Sequence, residues 1–156
     1  MKKPKPLKPE KPKLPRKPRA KVRGPRKSKR FKIGTYTSVK TGKEMIHRSS
    51  WELEFMKFLD ADPAVKTFQS EGLIIPYLKS PKSKVSKYFP DFIVEYVDGK
   101  TVMYEIKPER FMDRRINLKK WEQAILYCER KGWTFEVLNE GDLKKMGLLT
   151  GKADSE

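Results

Sequence analysis

Three residues at two spacings stand out as capable of chemistry: Asp91, directly after Pro90, and Glu105, two positions before Lys107. All lie in the stretch KYFPDFIVEYVDGKTVMYEIKP, residues Lys87 to Pro108. Two β-rich runs joined by Asp98-Gly99 predict a hairpin there. Apolar residues alternate as Phe92, Val94, Tyr96 on the first run and Val102, Tyr104, Ile106 on the second. With Val97 opposite Thr101, Phe92 faces Ile106, Val94 faces Tyr104 and Tyr96 faces Val102. That register buries one face in matched pairs and gathers Asp91, Glu105 and Lys107 on the other. A tight two-residue turn would shift the pairing by one and scatter them, so a three-residue loop or a bulge is expected.

Two carboxylates beside a lysine suit a hard divalent cation, which takes oxygen ligands from one or two carboxylates, from water and from substrate phosphate. Such an ion lowers the pKa of a coordinated water and stabilises charge on a phosphoryl oxygen. Lys107 could orient that water or steady the developing charge. The plainer reading of Glu and Lys alternating on a strand is a solvated face. Pro90-Asp91 followed by Glu105-Ile106-Lys107 matches the pattern PD…ExK, and here the chain resembles the PD-(D/E)xK nuclease superfamily.

The elements that must position these residues follow from periodicity. Trp51, Phe55, Phe58 and Leu59 give a buried stripe to a helix from Ser49 to Ala61. Ser49 at its N-cap and Glu52 at N3 form a capping box, and Asp62-Pro63 stops it. Glu52 therefore sits in the first turn, either as a third carboxylate for the metal or as a cap that complements the helix dipole; Glu54 is a fallback for the same role. Phe31 to Ile46 reads as a short hairpin turning at Thr41-Gly42. Val65 to Phe68 and Leu73 to Leu78 read as strand. Lys79 to Lys87 reads as a basic loop, in which Lys82, Lys84 and Lys87 could grip DNA phosphates beside the metal. A second helix runs from about Arg114 to Lys131, with Leu118, Trp121, Ile125 and Cys128 as its buried stripe, Ala124 alongside, and Gly132 as its stop. Arg114, Arg115, Lys119 and Lys120 make its first half basic, and Arg115 or Lys119 could bind phosphate near the site. Cys128 at core spacing reads as packing. His47, the single histidine, reads as a loop residue and no zinc site is expected. Trp133 to Leu138 is a final core strand and Glu140 to Leu149 a short helix. The order is helix, strand, hairpin, helix, strand, which gives an α/β fold with a mixed sheet flanked by helices.

Charge is distributed very unevenly. The 156 residues carry a net charge of +17, of which residues 1–32 hold 16 Lys and Arg against the single acid Glu10. The remainder is nearly neutral. The arm from Lys2 to Lys32 is punctuated by Pro4, Pro6, Pro9, Pro12, Pro15 and Pro18, which forbid helix, while its charges oppose collapse. A disordered, partly polyproline II arm is expected. DNA is its natural partner through counterion release, with a localisation signal or solubility tail as the alternative. It has no apolar face for a membrane, and no apolar run approaches a membrane span. One cysteine excludes an intrachain disulfide and points to a reducing compartment. The expected divisions are an arm at 1–32, a domain at 33–150 and a tail at 151–156.

The resemblance extends beyond the PD…ExK pattern. SSWELEFMKFLDADPAVKTFQSE, an apolar strand, YFPDFIVEY, YEIKP and a helix ending YCERKGWTFEVL resemble, in order and spacing, the TnsA-like endonucleases of transposon ends, and similarly the head-completion nucleases of tailed phages. The likeness spans about Ser49 to Leu149. It implies a restriction-endonuclease-like αβββαβ core. It also implies Glu52, Asp91 and Glu105 as metal ligands for one or two Mg²⁺ (or Mn²⁺) ions, the main-chain carbonyl of Ile106 as a further ligand, and Lys107 as the catalytic lysine. Two departures, the missing C-terminal partner domain and the added basic arm, favour a stand-alone or phage nuclease over transposition.

The expected function is metal-dependent hydrolysis of DNA phosphodiesters by an endonuclease without strong base preference. Phage head or portal proteins, or a transposase-type partner, are the protein partners that the resemblance implies, in the host cytoplasm or the virion. Two other readings stay open. One is a non-catalytic phage head or connector protein that contacts DNA on a nuclease fold. The other is an RNA-binding protein with a ribosomal-type extension, which explains the arm but not the carboxylates.

Overall fold

The structure is a computed structural model, and it describes residues 33–149. The basic arm and the tail expected at 151–156 lie outside the described residues.

The described chain begins with the expected hairpin, β1 (Gly34–Thr37) and β2 (Glu44–His47). Helix α1 (Ser50–Ala61) follows, with the Ser49 side chain accepting from the Glu52 amide as its N-cap. The Glu52 carboxylate does not close the box on Ser49. It accepts instead from the Arg48 amide at 2.9 Å, one residue further out. His47 is a buried strand residue and not a loop residue; its ring fills the space where a Cβ on Gly34 would sit 2.8 Å from Nε2.

The central sheet contains β3 (Val65–Ser70), β6 (Phe92–Tyr96), β7 (Thr101–Ile106) and β8 (Thr134–Leu138), hydrogen-bonded in that order. β3 and β6 are antiparallel, β6 and β7 are antiparallel, and β7 and β8 are parallel. A parallel pair needs a crossover, and α2 (Arg115–Lys131) supplies it. With α1 the chain has the expected αβββαβ order in a mixed sheet flanked by helices. One addition interrupts it. β4 (Ile75–Leu78) pairs not with the central sheet but with β5 (Val85–Tyr88), a strand in the segment expected to be a basic loop. β5 is hard to read because only Tyr88 of its four residues is buried. α3 (Glu140–Lys145) is shorter than expected and is capped reciprocally by Asn139 and Asp142.

The β6–β7 loop has three residues, Val97, Asp98 and Gly99. The Tyr96 amide donates to the Lys100 carbonyl at 2.8 Å, and Gly99 takes φ +90°. A left-handed glycine at the third loop position matches the right-handed twist of the strands. The resulting register is two residues from the expected one: Phe92 pairs with Tyr104 and Val94 with Val102. An even displacement preserves every face, so the expected sorting of side chains survives.

Even-numbered residues of β6 and β7 face α1. Phe55 meets Phe92 and Tyr104 edge-on, with ring centroids 5.2 and 5.3 Å apart. Ile93 and Met103 face α2, where Trp121, Ala124 and Cys128 pack with Tyr77 and Tyr88 of the added hairpin. The α2 stripe is thus Asn117, Trp121, Ala124 and Cys128, while Leu118 and Ile125 are exposed. Asn117 replaces Leu118 inside because its side-chain amide donates to the Phe111 carbonyl at 2.7 Å and ties the helix start to the preceding turn. β8 lies at the edge of the sheet and buries only Leu138 fully, so it is less a core strand than expected.

Asp60 at the far end of α1 fastens the first hairpin. It accepts from Tyr36 Oη, Ser38 Oγ and the amides of Val39 and Lys40 at 2.5 to 3.3 Å. Burial alone would raise its carboxyl, but these four donors outweigh that and hold it below the usual range. A depressed folded-state value stabilises above the unfolded value and is lost as pH falls through the folded one. Asp60→Asn should therefore cost roughly 1–3 kcal/mol in urea unfolding at pH 7. The difference from wild type should shrink at pH 3; an equal difference at both would mean the charge is irrelevant.

Candidate active site

The site forms where β6 begins and β7 ends. Odd-numbered residues there face α2 and the added hairpin, so Asp91, Glu105 and Lys107 share one face, as the alternation predicts. Continuing the pairing one step past Phe92–Tyr104 sets Asp91 opposite Glu105. The Asp91 carboxylate, through Oδ2, accepts the Ile106 amide at 2.8 Å. Continuing the alternation of ladder bonds would send that amide to the Pro90 carbonyl; the side chain of Asp91 takes it instead and is held at the strand end. Glu105 is buried, with Oε2 accepting from Tyr88 Oη at 2.7 Å and Oε1 3.7 Å from Lys107 Nζ.

Glu52 reaches the same place from the first turn of α1, tethered by the Arg48 amide. Glu54, the fallback, is turned away and pairs with Lys57 at 3.6 Å. Arg48 in turn pairs with Glu71 through Nε at 2.7 Å, and the Glu71 amide donates to the Asp91 carbonyl. Glu71 has φ 51°, a left-handed conformation that is strained for a residue with a side chain. It bridges the loops that carry Glu52 and Asp91.

All three carboxylates are pushed toward protonation. Burial is the largest cause for each. Asp91 is next raised by the charges of Glu105 and Glu52, and Glu52 by those of Glu71 and Glu105. Lys107, the Tyr88 hydroxyl and Lys120 oppose the shift at Glu105. Among the described residues no three acidic, His or Cys side chains already converge at ion-holding distances. The chemistry of the set nonetheless suits a hard divalent cation: the side chains are all carboxylates, and their mutual repulsion is what such an ion would relieve.

A cleft of about 180 Å³ opens beside Glu52 and Lys107, and Phe111 of the 3₁₀ turn Glu109–Phe111 contributes to its wall. Arg110 lines it, and Arg110 and Arg114 stand 4.6 and 4.1 Å from the Phe111 ring. A larger cleft of about 430 Å³ between β4–β5 and α2 is lined by Lys119 but by none of the carboxylates. Lys82, Lys84, Lys87 and Arg115 are exposed.

Sequence reasoning missed Tyr88, Arg48, Glu71 and Lys120. Tyr88 and Lys120 depend on the added hairpin, whose second strand was not read. Lys120, and not Lys119, turns toward the site, because the buried face of α2 is rotated from the one expected. Its ammonium lies 5.8 Å from the ring centroids of both Tyr77 and Tyr88. Burial, then Lys107, lowers its pKa.

The chain is 29% identical over 128 residues to the head completion nuclease of Enterobacteria phage T4, covering 68% of this chain and 85% of that protein. The family description "TnsA-like endonuclease N terminal" matches residues 62–140, just over half of the chain, from the stop of α1 through β8. The chain therefore belongs to the TnsA-like endonuclease N-terminal family.

Proposed function

We propose that this protein is a metal-dependent DNA endonuclease that hydrolyses phosphodiesters without strong base preference. The observation that carries the reading is the set of three mutually repelling carboxylates, Glu52, Asp91 and Glu105, with Lys107 3.7 Å from one of them. The two carboxylates and the carbonyl of Ile106 at the strand ends, with Glu52, would hold Mg²⁺ or Mn²⁺. Bound there, the ion supplies charge stabilisation at a phosphoryl oxygen and makes water acidic enough to attack at neutral pH. Water forms the new bond to phosphorus, the bond to the leaving oxygen breaks, and that oxygen takes up a proton.

The chain's own residues position and compensate. Ile106 N–H fixes one oxygen of Asp91, Tyr88 fixes one of Glu105, and Arg48 N–H fixes one of Glu52. Lys107 faces the phosphate that these ligands would present and stabilises its extra negative charge as the bond to water forms. Lys82, Lys84, Lys87, Arg115, Lys119 and the arm bind phosphates, which gives affinity without sequence choice. The likeness to a phage head completion nuclease supports a role in finishing phage heads, with head or portal proteins as partners.

Supercoiled plasmid with Mg²⁺ or Mn²⁺ tests the assignment. Wild type should nick or linearise it, and Lys107→Ala should lose about 10²–10³ in rate, the effect of removing one preorganised charge-stabilising donor. Glu52→Gln keeps an acceptor for the Arg48 amide but loses the ligand charge. It should fold normally and cut poorly; wild-type cutting would reduce Glu52 to a cap. A wild type that binds DNA and cuts with neither metal would favour the structural head-protein reading.

The arm's contribution is measurable separately. Removing residues 1–32 should lower the slope of log Kobs against log salt by about 0.9 for each phosphate of duplex DNA that the arm neutralises. KM should rise while kcat stays close to wild type. An unchanged slope would assign the arm to binding protein or to localisation.

A further inference from the structure

We propose that Lys120 is a substrate-binding residue of the site, the middle of a row of three ammonium groups, Lys107, Lys120 and Lys79, that receives successive phosphates of one nucleic-acid strand. The inference rests on the nuclease reading for the identity of the strand but on its own geometry for the row.

Lys120 lies on the inward edge of α2, three residues after buried Asn117 and four before buried Ala124. Its side chain runs along the added hairpin, and its ammonium stands 5.8 Å from the rings of Tyr77 and Tyr88. Both tyrosines are almost wholly buried. Tyr88 is also the residue whose hydroxyl holds Oε2 of Glu105, while Lys107 stands at Oε1. Glu105 is thus flanked by Lys107 on one oxygen and by the Tyr88–Lys120 pair on the other. Lys120 is repelled by both Lys107 and Lys79 and attracted by Glu105 and Asp91. Lys79 lies just past the end of β4 and is exposed. Lys107, which stands against Glu105, and Lys79 are thus each within electrostatic reach of Lys120.

The fold compensates this partly buried ammonium only in part, because burial and Lys107 outweigh the pull of Glu105 and Asp91. Among the described residues no carboxylate lies within 4.0 Å of Lys120. The two rings and the longer-range pull of Glu105 and Asp91 leave its N–H donors open, and its burial opposes the charged form. Apolar packing against two tyrosines would serve the helix as well. An anion arriving from solution supplies the missing partner. The ligand that matches a row of cations beginning at a phosphodiesterase centre is a phosphodiester chain: Lys107 meets the reacting phosphate and Lys120 and Lys79 meet the next ones. α2 and the β4–β5 hairpin then form one wall of the strand's path.

The test uses the full chain and a fluorescent DNA duplex in EDTA, where binding is read without cutting. Lys120→Met keeps the packing length and removes the charge. It should weaken binding about tenfold, as for one charge-assisted hydrogen bond, and lower the salt slope by about 0.9. Its melting temperature should equal or exceed wild type. Lys120→Arg should restore slope and affinity. Lys100→Gln removes a charge at the far end of the β6–β7 hairpin and should change neither. The proposal is overturned if Lys120→Met keeps the wild-type slope, or if it binds weakly with a lowered melting temperature that Arg does not rescue. Cleavage assays separate the two claims. A wild type that cuts while Lys120→Met binds normally sinks the role of Lys120 alone. A Lys120-dependent slope in a protein that never cuts sinks the nuclease assignment alone.

Discussion

Burial of Asp91, Glu105 and Glu52 beside one another, reinforced by their mutual repulsion, is the constraint to which the surrounding structure answers. An incompletely compensated buried charge opposes folding by an amount that matters beside a domain stability on the order of 10 kcal/mol. Each element around the site delivers a counterweight. β7 contributes the Ile106 amide and Lys107, β5 the Tyr88 hydroxyl, the loop before α1 the Arg48 amide, and α2 the Lys120 charge. Five compensations from four segments mean that the site exists only when the domain is assembled.

The scaffold achieves this with strand parity and one helix cap. Period-2 alternation sends Phe92, Val94, Val102 and Tyr104 into the α1 core and leaves Asp91 and Glu105 facing α2. Phe55, packed on Phe92 and Tyr104, seats α1 against the α1-facing side of the sheet. Glu52 lies three residues earlier, close to one turn of helix, so seating Phe55 delivers Glu52 to the strand ends. The Asp60 network fixes the hairpin that leads into Arg48 and thereby the tether of Glu52. Core packing and site geometry are one arrangement here, and a change in either is felt in both.

Much of the fold was legible because its signals are local. The three-residue loop, the Ser49 cap, the Gly132 stop and the αβββαβ order all follow from short-range patterns. The register was two residues off because sequence alternation fixes parity, while the closing pair depends on where Gly99 adopts its left-handed conformation. The face of α2 was misjudged because it carries apolar residues on both sides. Leu118 and Ile125 are as hydrophobic as the residues that are buried, and Asn117 wins its place through a hydrogen bond to Phe111 that no periodicity reveals. The carboxylates and Lys107 were legible as a spacing. Their partners were not, since Tyr88 and Lys120 come from segments distant in sequence and meet only through packing.

The same contrast separates residues whose charge the fold satisfies from residues whose charge it leaves partly uncompensated. Asp60 has four donors and Cys128 is sealed against Met103; both satisfy the fold where they stand. Glu105 is buried yet only partly compensated, Lys120 is partly buried with no carboxylate within 4.0 Å among the described residues, and Glu71 holds a left-handed backbone to span from Arg48 to Asp91. Each of these opposes folding by a modest amount, and all three lie around one end of β6 and β7. Strain and unmatched charge scattered over a surface would need no common cause. Gathered at one end of the sheet, with acids beside cations, they fit the common cause proposed above, a ligand that brings both a divalent cation and a chain of phosphates.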